Sequence, residues 1–353
     1  MRIALDATPL TLSSGGLPRY VSELGLALAR EFPEDEYIYL SDQPFSMPGG
    51  APPNLMRGRS VETPADKHWW LWGLRGAIRD ANAAVFHGTN FEVPYLGGVP
   101  CILTIHDLSP WRERSWHDSA DRVRQRTPWL LKFRRACAIV TVSEAVRREV
   151  ISYFGVDAQI VHAAPLAASE RFRALPSATN GLNPFFLFVG TLEPRKNVPA
   201  LIEAWRATRD ETGAELVIAG RSRSDSPSIP SENGLIILGE VADDELPRLY
   251  SEALAFVYPT HYEGFGLPVL EAMQCGCPVI TSADPAVVEL SGGAAIHTAS
   301  VEEIAESMRA IATRPEVRAS LRAAGLRRAA AYSWARTARL THAVYQRAVG
   351  EKT

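Results

Sequence analysis

Twelve short apolar runs alternate with longer stretches of helical period along this chain, and that alternation limits its fold more than any other feature. The first half carries "RIALDA", "EYIYL", "AAVFHG", "CILTIHD", "AIVTVS" and "QIVHA"; the second carries "FFLFVG", "ELVIAG", "LIILGE", "LAFVYP", "CPVITS" and "AAIHT". Strands that are apolar throughout, rather than at every second position, are buried on both faces, which a parallel sheet covered by helices provides. The 353 residues suffice for two such units, each with its own core. The predicted class is α/β, with two doubly wound, Rossmann-like domains over 1–173 and 185–334. Between them, 174–184 lies in "RALPSATNGLNP", rich in Pro, Asn, Ser and Gly and without strand or helix period, and reads as a linker. The last helical stretch, about 335–353, has no strand after it and is expected to pack elsewhere, back on the first domain.

A formal charge of -3 argues against a nucleic-acid partner. Cys101, Cys137, Cys275 and Cys277 form no CxxC pair and have no histidines at ligand spacing, so neither a zinc site nor a disulfide framework is expected. The opening "MRIALDATPL" turns polar too quickly for a signal peptide, and no apolar run reaches eighteen residues. The expected setting is cytoplasmic, with any membrane contact peripheral, on the inner membrane surface.

The stretch "HYEGFGLPVLEA" follows the run "ALAFVYPT". Gly264, Gly266 and Pro268 forbid one continuous helix, so Glu263–Gly266 is predicted to be the strand-to-helix turn, with Pro268 in the first turn of the new helix. In an open α/β sheet, ligands bind at such turns. Glycines let the backbone come close, and the N–H groups of a helix start favour an anion, the phosphates of a nucleotide. Glu271, one or two turns in, can accept two hydrogen bonds from a ribose diol. Glu263 faces the group beyond the phosphates. Either glutamate alone would pass for a charge complementing the helix dipole; together after a strand they are far more specific.

"FLFVGTLEPRKN" repeats the pattern: a strand, Gly190, then Arg195 and Lys196 at another strand end, where paired cations can meet the charge of a departing diphosphate. In the first half "LSSGGLPRYVSELGLALAR" places Gly15 and Gly16 between a strand and an amphipathic helix, without the G-K-[ST] ending of a P-loop and without G-x-G-x-x-G. His106 and Asp107 end the strand "CILTIHD", and His87, ending a neighbouring strand, is a candidate to line the same space. Asp243 in "VADDEL" and Ser143 in "TVSEAVRREV" are expected to cap helices.

These stretches, in this order, resemble the retaining glycosyltransferases of family 4, with the GT-B fold of two Rossmann-like domains facing across a cleft. The resemblance rests on "GGLPRY", "TIHDLSP", "TVSEAVRREV", "VGTLEPRKN", "LGEVADDEL" and "HYEGFGLPVLEAMQCGCPVITS" and covers nearly the whole chain. It implies that Glu263 and Glu271 form the family's E-x7-E pair, Glu271 on the donor ribose and Glu263 on the transferred sugar. Gly264, Phe265, Gly266 and Leu267 would turn backbone N–H groups to the phosphates, with Gly190 at the neighbouring strand end. Arg195 and Lys196 would hold the leaving diphosphate. Gly15 and Gly16, with Arg19 in the same set, would close on it from the first domain; His106 would contact the sugar, and Val241 would lie against the base. One departure stands out: where many relatives carry arginine after the glycine of "VG", this chain has Thr191.

The implied reaction transfers a sugar from a nucleoside-diphosphate sugar to a hydroxyl of a glycan, lipid-linked or small-molecule acceptor, with retention. No cofactor and no metal are expected, since fixed cations and N–H dipoles stabilise the leaving group. The wording of "HDLSP" and "GTLEPRKN" is similar to bacterial mannosyltransferases of polysaccharide assembly, which makes GDP-mannose the first donor. "HWWLWGLRGAIRD" and "WRERSWHDSADRVRQRTPWLLKFRR" offer tryptophans and arginines that suit either an acceptor or an anionic lipid surface, or that fill the core. A nucleotide-sugar epimerase of similar shape and a non-catalytic nucleotide-sugar-binding protein are the alternatives.

Overall fold

The computed structural model describes residues 1–12, 15–58, 68–116, 120–176 and 183–350. It divides into two compact units, Met1–Leu166 together with Ser333–Thr353, and Ala167–Tyr332. In the first unit β1 (Arg2–Asp6), β2 (Glu36–Leu40), β3 (Leu55–Arg57), β4 (Val85–Gly88), β5 (Cys101–Ile105), β6 (Ala138–Thr141) and β7 (Val161–Ala163) make one sheet in the order β3-β2-β1-β4-β5-β6-β7. In the second, β8 (Phe185–Val189), β9 (Glu215–Ala219), β10 (Leu235–Gly239), β11 (Ala255–Tyr258), β12 (Val279–Ser282) and β13 (Ile296–Thr298) are ordered β10-β9-β8-β11-β12-β13. Every pairing is parallel.

All twelve apolar runs are strands, and the central ones are buried on both faces: β4, β5, β6, β8 and β11 contain no exposed residue. The additional strand is β3, three residues with one buried, too short to register as an apolar run. β10 departs in another way. It is the edge of its sheet, and Ile236, Ile237 and Leu238 are exposed although its sequence reads as core.

The two sheets share one wiring rule. The strand order turns between β1 and β4, and again between β8 and β11, so the segments leaving those strands diverge and open a space at their carboxyl ends. Gly190 after β8 and the Glu263 turn after β11 therefore lie at the same point of the second sheet.

The helix Trp334–Ala348 belongs to the first unit and is tied there by specific contacts. Thr337 Oγ1 donates to the Pro165 carbonyl at 2.5 Å, His342 Nε2 lies 2.6 Å from Asp35 Oδ2, and Tyr345 Oη lies 2.7 Å from His87 Nδ1. The His342 ring stacks on Phe32 at 3.6 Å, and Arg339 pairs with Glu31. These contacts surround a face of the helix Gly16–Glu31 that would otherwise expose buried leucines and valine.

The chain enters the second unit at Ala167, ahead of the 174–184 stretch. The reason is packing: Phe172 lies fully buried against Tyr250, and Gln274 Nε2 donates to the Ser169 carbonyl at 3.0 Å. Residues 177–182 of the expected linker lie outside the described residues.

Candidate active site

The second unit builds its site on two strand ends. After β11 the chain turns through Thr260–Phe265 and enters the helix Leu267–Gln274 at Gly266. Gly266 has φ +94°, a backbone that side chains with a Cβ rarely adopt, and a Cβ added there would meet Val287 and Leu290 at 3.4 and 3.5 Å. Pro268 stands in the helix's first turn, where its missing N–H costs nothing.

Glu263 is almost wholly buried in this turn, and its Oε1 is crowded. Tyr258 and Thr260 each donate to it at 2.9 Å, Lys196 donates its ammonium, and a guanidinium nitrogen of Arg195 lies 3.3 Å away. Burial pushes the Glu263 carboxyl up, but the Lys196 and Arg195 charges outweigh it and hold it at about 2. It is therefore a carboxylate at any ordinary pH. Burial and the neighbouring Arg195 pull the Lys196 ammonium below its usual value, against the carboxylates of Glu263 and Glu193.

Arg195 and Lys196 come from the short helical turn Pro194–Lys196 after β8, closed by Asn197 in the left-handed conformation. Arg195 also pairs with Glu193 at 2.9 Å and donates to the Tyr262 carbonyl at 2.9 Å. Glu193 in turn receives Arg223 at 3.1 Å. The two cations expected from "PRK" are thus brought to the Glu263 turn, each matched by a buried carboxylate, and held rigid. Lys196 still has a third ammonium proton beyond the two that Glu263 and Tyr258 accept.

Glu271 is buried in the second turn of its helix, with Tyr250 Oη 3.5 Å from its Oε2. Tyr250 stands in the helix Leu246–Glu252, which follows the segment holding Val241. Gly190 adopts φ +155° and faces Gly220 so closely that a Cβ on Gly220 would stand 1.8 Å from the Gly190 carbonyl oxygen. Two strand ends there touch backbone to backbone.

In the first unit Gly15 precedes the helix Gly16–Glu31 with φ +113° and is exposed, as is Gly16; Arg19 is in the helix's first turn. Ser13 and Ser14 lie outside the described residues. His106 follows β5. Its Nε2 is 2.8 Å from the Thr89 carbonyl oxygen, which can only accept, so Nε2 carries the proton and Nδ1 keeps its lone pair. The Tyr20 ring meets the His106 ring edge-on at 4.8 Å. Burial pulls the His106 imidazole down from its usual value, and it is neutral.

Two sequence expectations are corrected. His87 does not line a site: it is a core residue with 0% exposure, bonded through Nδ1 to Tyr345 and through Nε2 to Thr104 at 2.6 Å. Asp243 is not a helix cap: the helix begins at Leu246 behind Glu245, and Asp243 lies 3.5 Å from Arg171. Of the alternatives left open for the tryptophan-rich stretches, core filling holds for Trp69, which is buried, while Trp72 and Trp129 are exposed; residues 117–119 lie outside the described residues. Ser143 caps its helix as expected, accepting from the Val146 N–H at 3.1 Å.

Sequence reasoning missed Glu193, Tyr258, Thr260 and Asp284, which hold the Glu263 turn. Only Asp284 had a legible signal, an aspartate before a proline at a helix start. Among the described residues no group of three or more His, Cys, Asp or Glu side chains is placed to hold a metal ion, and no helix is long and apolar enough to cross a membrane.

Two parallel doubly wound units, with a buried glutamate and lysine and a half-buried arginine at the strand-to-helix turns of the second, define a GT-B glycosyltransferase. The comparisons agree. Sucrose-phosphate synthase from Thermosynechococcus elongatus superposes with a TM-score of 0.74 at 19% identity, covering 98% of each chain. The family description "Glycosyltransferase Family 4" matches residues 14–167, and "Glycosyl transferases group 1" matches 175–328. The O-antigen chain mannosyltransferase B of Escherichia coli is 30% identical over 338 residues, 84% of this chain and 86% of that protein. The serotype-specific mannosyltransferase WbdA of the same species is 31% identical over 265 residues, 68% of this chain but 32% of that longer protein. The chain belongs to glycosyltransferase family 4.

Proposed function

We propose that this glycosyltransferase moves mannose from GDP-mannose to a hydroxyl of a glycan or lipid-linked acceptor, with retention and without a divalent metal. The observation that carries the chemistry is the cluster of buried Lys196 and Glu263 with half-buried Arg195 beside a glycine-bearing helix start. Mannose comes from the similarity to O-antigen mannosyltransferases.

In this reading the diphosphate lies on the helix start at Gly264, Phe265, Gly266 and Leu267, which precede Val269, whose N–H donates to the Gly266 carbonyl in the first turn. Glu271 takes the ribose hydroxyls, Val241 borders the base, and Gly190 leaves room for the pyrophosphate. Gly15, Gly16 and Arg19 complete the phosphate contacts, and His106 contacts the sugar through its Nδ1 lone pair. When the anomeric C–O bond breaks, its electrons pass to the diphosphate oxygen, where Lys196 and Arg195 meet the charge. The acceptor hydroxyl attacks from the same face and gives its proton to that departing oxygen. Glu263 serves as the anchor of the cations: a carboxylate held at about 2 and accepting several hydrogen bonds is a poor nucleophile.

A thermal-shift panel of nucleotide sugars tests the donor, and proton NMR of the product tests the anomeric outcome. The strongest shift from a sugar nucleotide other than GDP-mannose would replace the donor, and an inverted product would replace the mechanism.

The peripheral membrane contact has a candidate face. Trp72, Trp129 and Phe133 are exposed, with exposed Arg75, Arg79, Lys132 and Arg134 along the same two segments. Aromatic side chains among cations suit an anionic lipid surface better than a neutral glycan, which gains nothing from the charges. Sedimentation with anionic and neutral vesicles checks it; binding to neither removes the contact.

A further inference from the structure

β12 pairs with β11 in register, Tyr258 opposite Thr281, and Thr281 Oγ1 donates to the Tyr258 carbonyl at 3.0 Å. The chain leaving β12 therefore emerges beside the Glu263 turn, and its third residue out of the register is Asp284. The Asp284 carboxylate is 7% exposed. Its Oδ1 accepts from the N–H groups of Ala286 at 3.0 Å and Val287 at 3.2 Å, capping the helix Pro285–Ser291, and the carboxylate also accepts from the Glu263 backbone N–H. That same helix forms the wall behind Gly266, through Val287 and Leu290.

We propose that Asp284 is a positioning residue of the transfer site: one carboxylate ties the Glu263 backbone N–H to the first turn of helix Pro285–Ser291 and so fixes the direction in which the Glu263–Leu267 turn faces its ligand. The Asp284 carboxyl touches neither the sugar nor the phosphates in this scheme. It acts through the turn.

Burial pushes the Asp284 carboxyl up to about 6; the Val287 N–H opposes this and the Glu263 charge adds to it. Glu263 is the charged group brought to bear on Asp284, and it is itself met by Arg195 and Lys196; His261 in the turn is exposed and Glu289 in the capped helix is half-buried. Below about pH 6 the carboxyl takes up a proton and gives up part of its acceptor capacity, so the turn loosens. Plain charge repulsion would act the other way, since neutralising a carboxylate near an anionic donor would strengthen binding.

This inference rests on the donor site proposed above, and the test separates the two. Calorimetry with GDP-mannose, whose diphosphate has no proton that titrates in this range, compares the full chain with Asp284→Asn and Asp284→Ala between pH 5 and 8. Wild-type affinity should fall about tenfold from the upper to the lower end, the size of one weakened hydrogen-bonded turn. Asp284→Asn, which keeps an acceptor for the helix cap and should fold even where Asp284→Ala does not, should bind more weakly at pH 8 and lose this pH dependence. A wild-type chain that binds neither GDP-mannose nor any other nucleotide sugar of the panel at any pH removes the donor site, and the role of Asp284 in it. Wild-type binding whose pH dependence survives Asp284→Asn, or which strengthens in acid, overturns the Asp284 assignment alone. So does a variant that only melts earlier while binding as the wild type does.

Discussion

Lys196 and Glu263 meet in the interior of the second unit, the ammonium donating to the same carboxylate oxygen that accepts from Tyr258 and Thr260. Each partner makes the other's burial tolerable. The carboxylate is needed to keep two cations out of water, and the cations are needed to keep the carboxylate ionised.

Removing the carboxylate charge should therefore unfold more than it unbinds. Glu263→Gln leaves Lys196 and Arg195 short of a buried counter-charge and should cost about 3 kcal/mol or more, measured by urea unfolding. Its effect on pH dependence has a definite sign. The folded carboxyl sits at about 2, below its ordinary 4.5, because Lys196 and Arg195 outweigh burial, so its contribution is fully present above 4.5 and is lost as pH falls toward 2. Wild type and Glu263→Gln should accordingly converge in stability on acidification. A gap that stays constant would show that the pair is not what stabilises the turn.

Glu271→Ala should weaken nucleoside-diphosphate binding by roughly 1.5–3 kcal/mol, the worth of hydrogen bonds to a charged group. Glu271 is buried beside Tyr250, so Tyr250→Phe is the companion variant and should lose less. Calorimetry with the free diphosphate reads both. Unchanged affinity in Glu271→Ala would take the ribose away from this glutamate.

His106→Ala should leave diphosphate affinity nearly intact and lower turnover, because the proposed contact is with the sugar in the reacting complex. The imidazole is pulled below its usual value by burial, so turnover should show no histidine titration at neutral pH from this residue. Normal turnover in the variant would remove His106 from the site.

The fold was legible because its strands are apolar on both faces, a pattern parallel sheets require. It was illegible where that rule fails. β10 has the same wording but stands at the edge of its sheet beside β9 with Ile236, Ile237 and Leu238 exposed, and β3 has too few residues to show a pattern. In the site, residues that advertise themselves by local chemistry were found: a glycine that must adopt φ +94°, a proline at a helix start, and a lysine beside an arginine after a strand. The residues that hold them were not found. Tyr258 and Thr260 look like ordinary strand-end residues, and their role exists only because β8 and β11 are neighbours across 67 residues of chain separating Lys196 from Glu263. His87 erred the other way. Its place at a strand end suggested an open site, but Tyr345, more than 250 positions later, returns to cover it.

That return is itself testable. Burial pulls His87 down to about 3, so it stays neutral and needs a partner for each ring nitrogen. Tyr345→Phe removes the partner of Nδ1 while preserving packing, and should destabilise the first unit by about 1–3 kcal/mol, the cost of an orphaned buried polar atom. Denaturant unfolding should show this with diphosphate affinity unchanged, since both side chains are buried in the core of the first unit. An unaltered unfolding midpoint would mean that the nitrogen finds another partner.

The proposed absence of a divalent metal makes the sharpest claim about which charges stabilise the leaving group. Lys196 and Arg195 are already fixed at the turn by Glu263 and Glu193, so they need no reorganisation when the diphosphate departs, and one ammonium proton of Lys196 remains to meet it. Lys196→Met keeps much of the volume but removes the charge, and should lower turnover by about a hundredfold or more, the usual cost of losing one such donor. The melting temperature must be followed alongside, because Glu263 would lose its main partner. Excess EDTA should leave wild-type transfer almost unchanged. If chelation abolishes transfer and magnesium restores it, the cations of this turn are not sufficient, and the carboxylates of Asp107, Asp243 and Asp244 become the first groups to test as ligands.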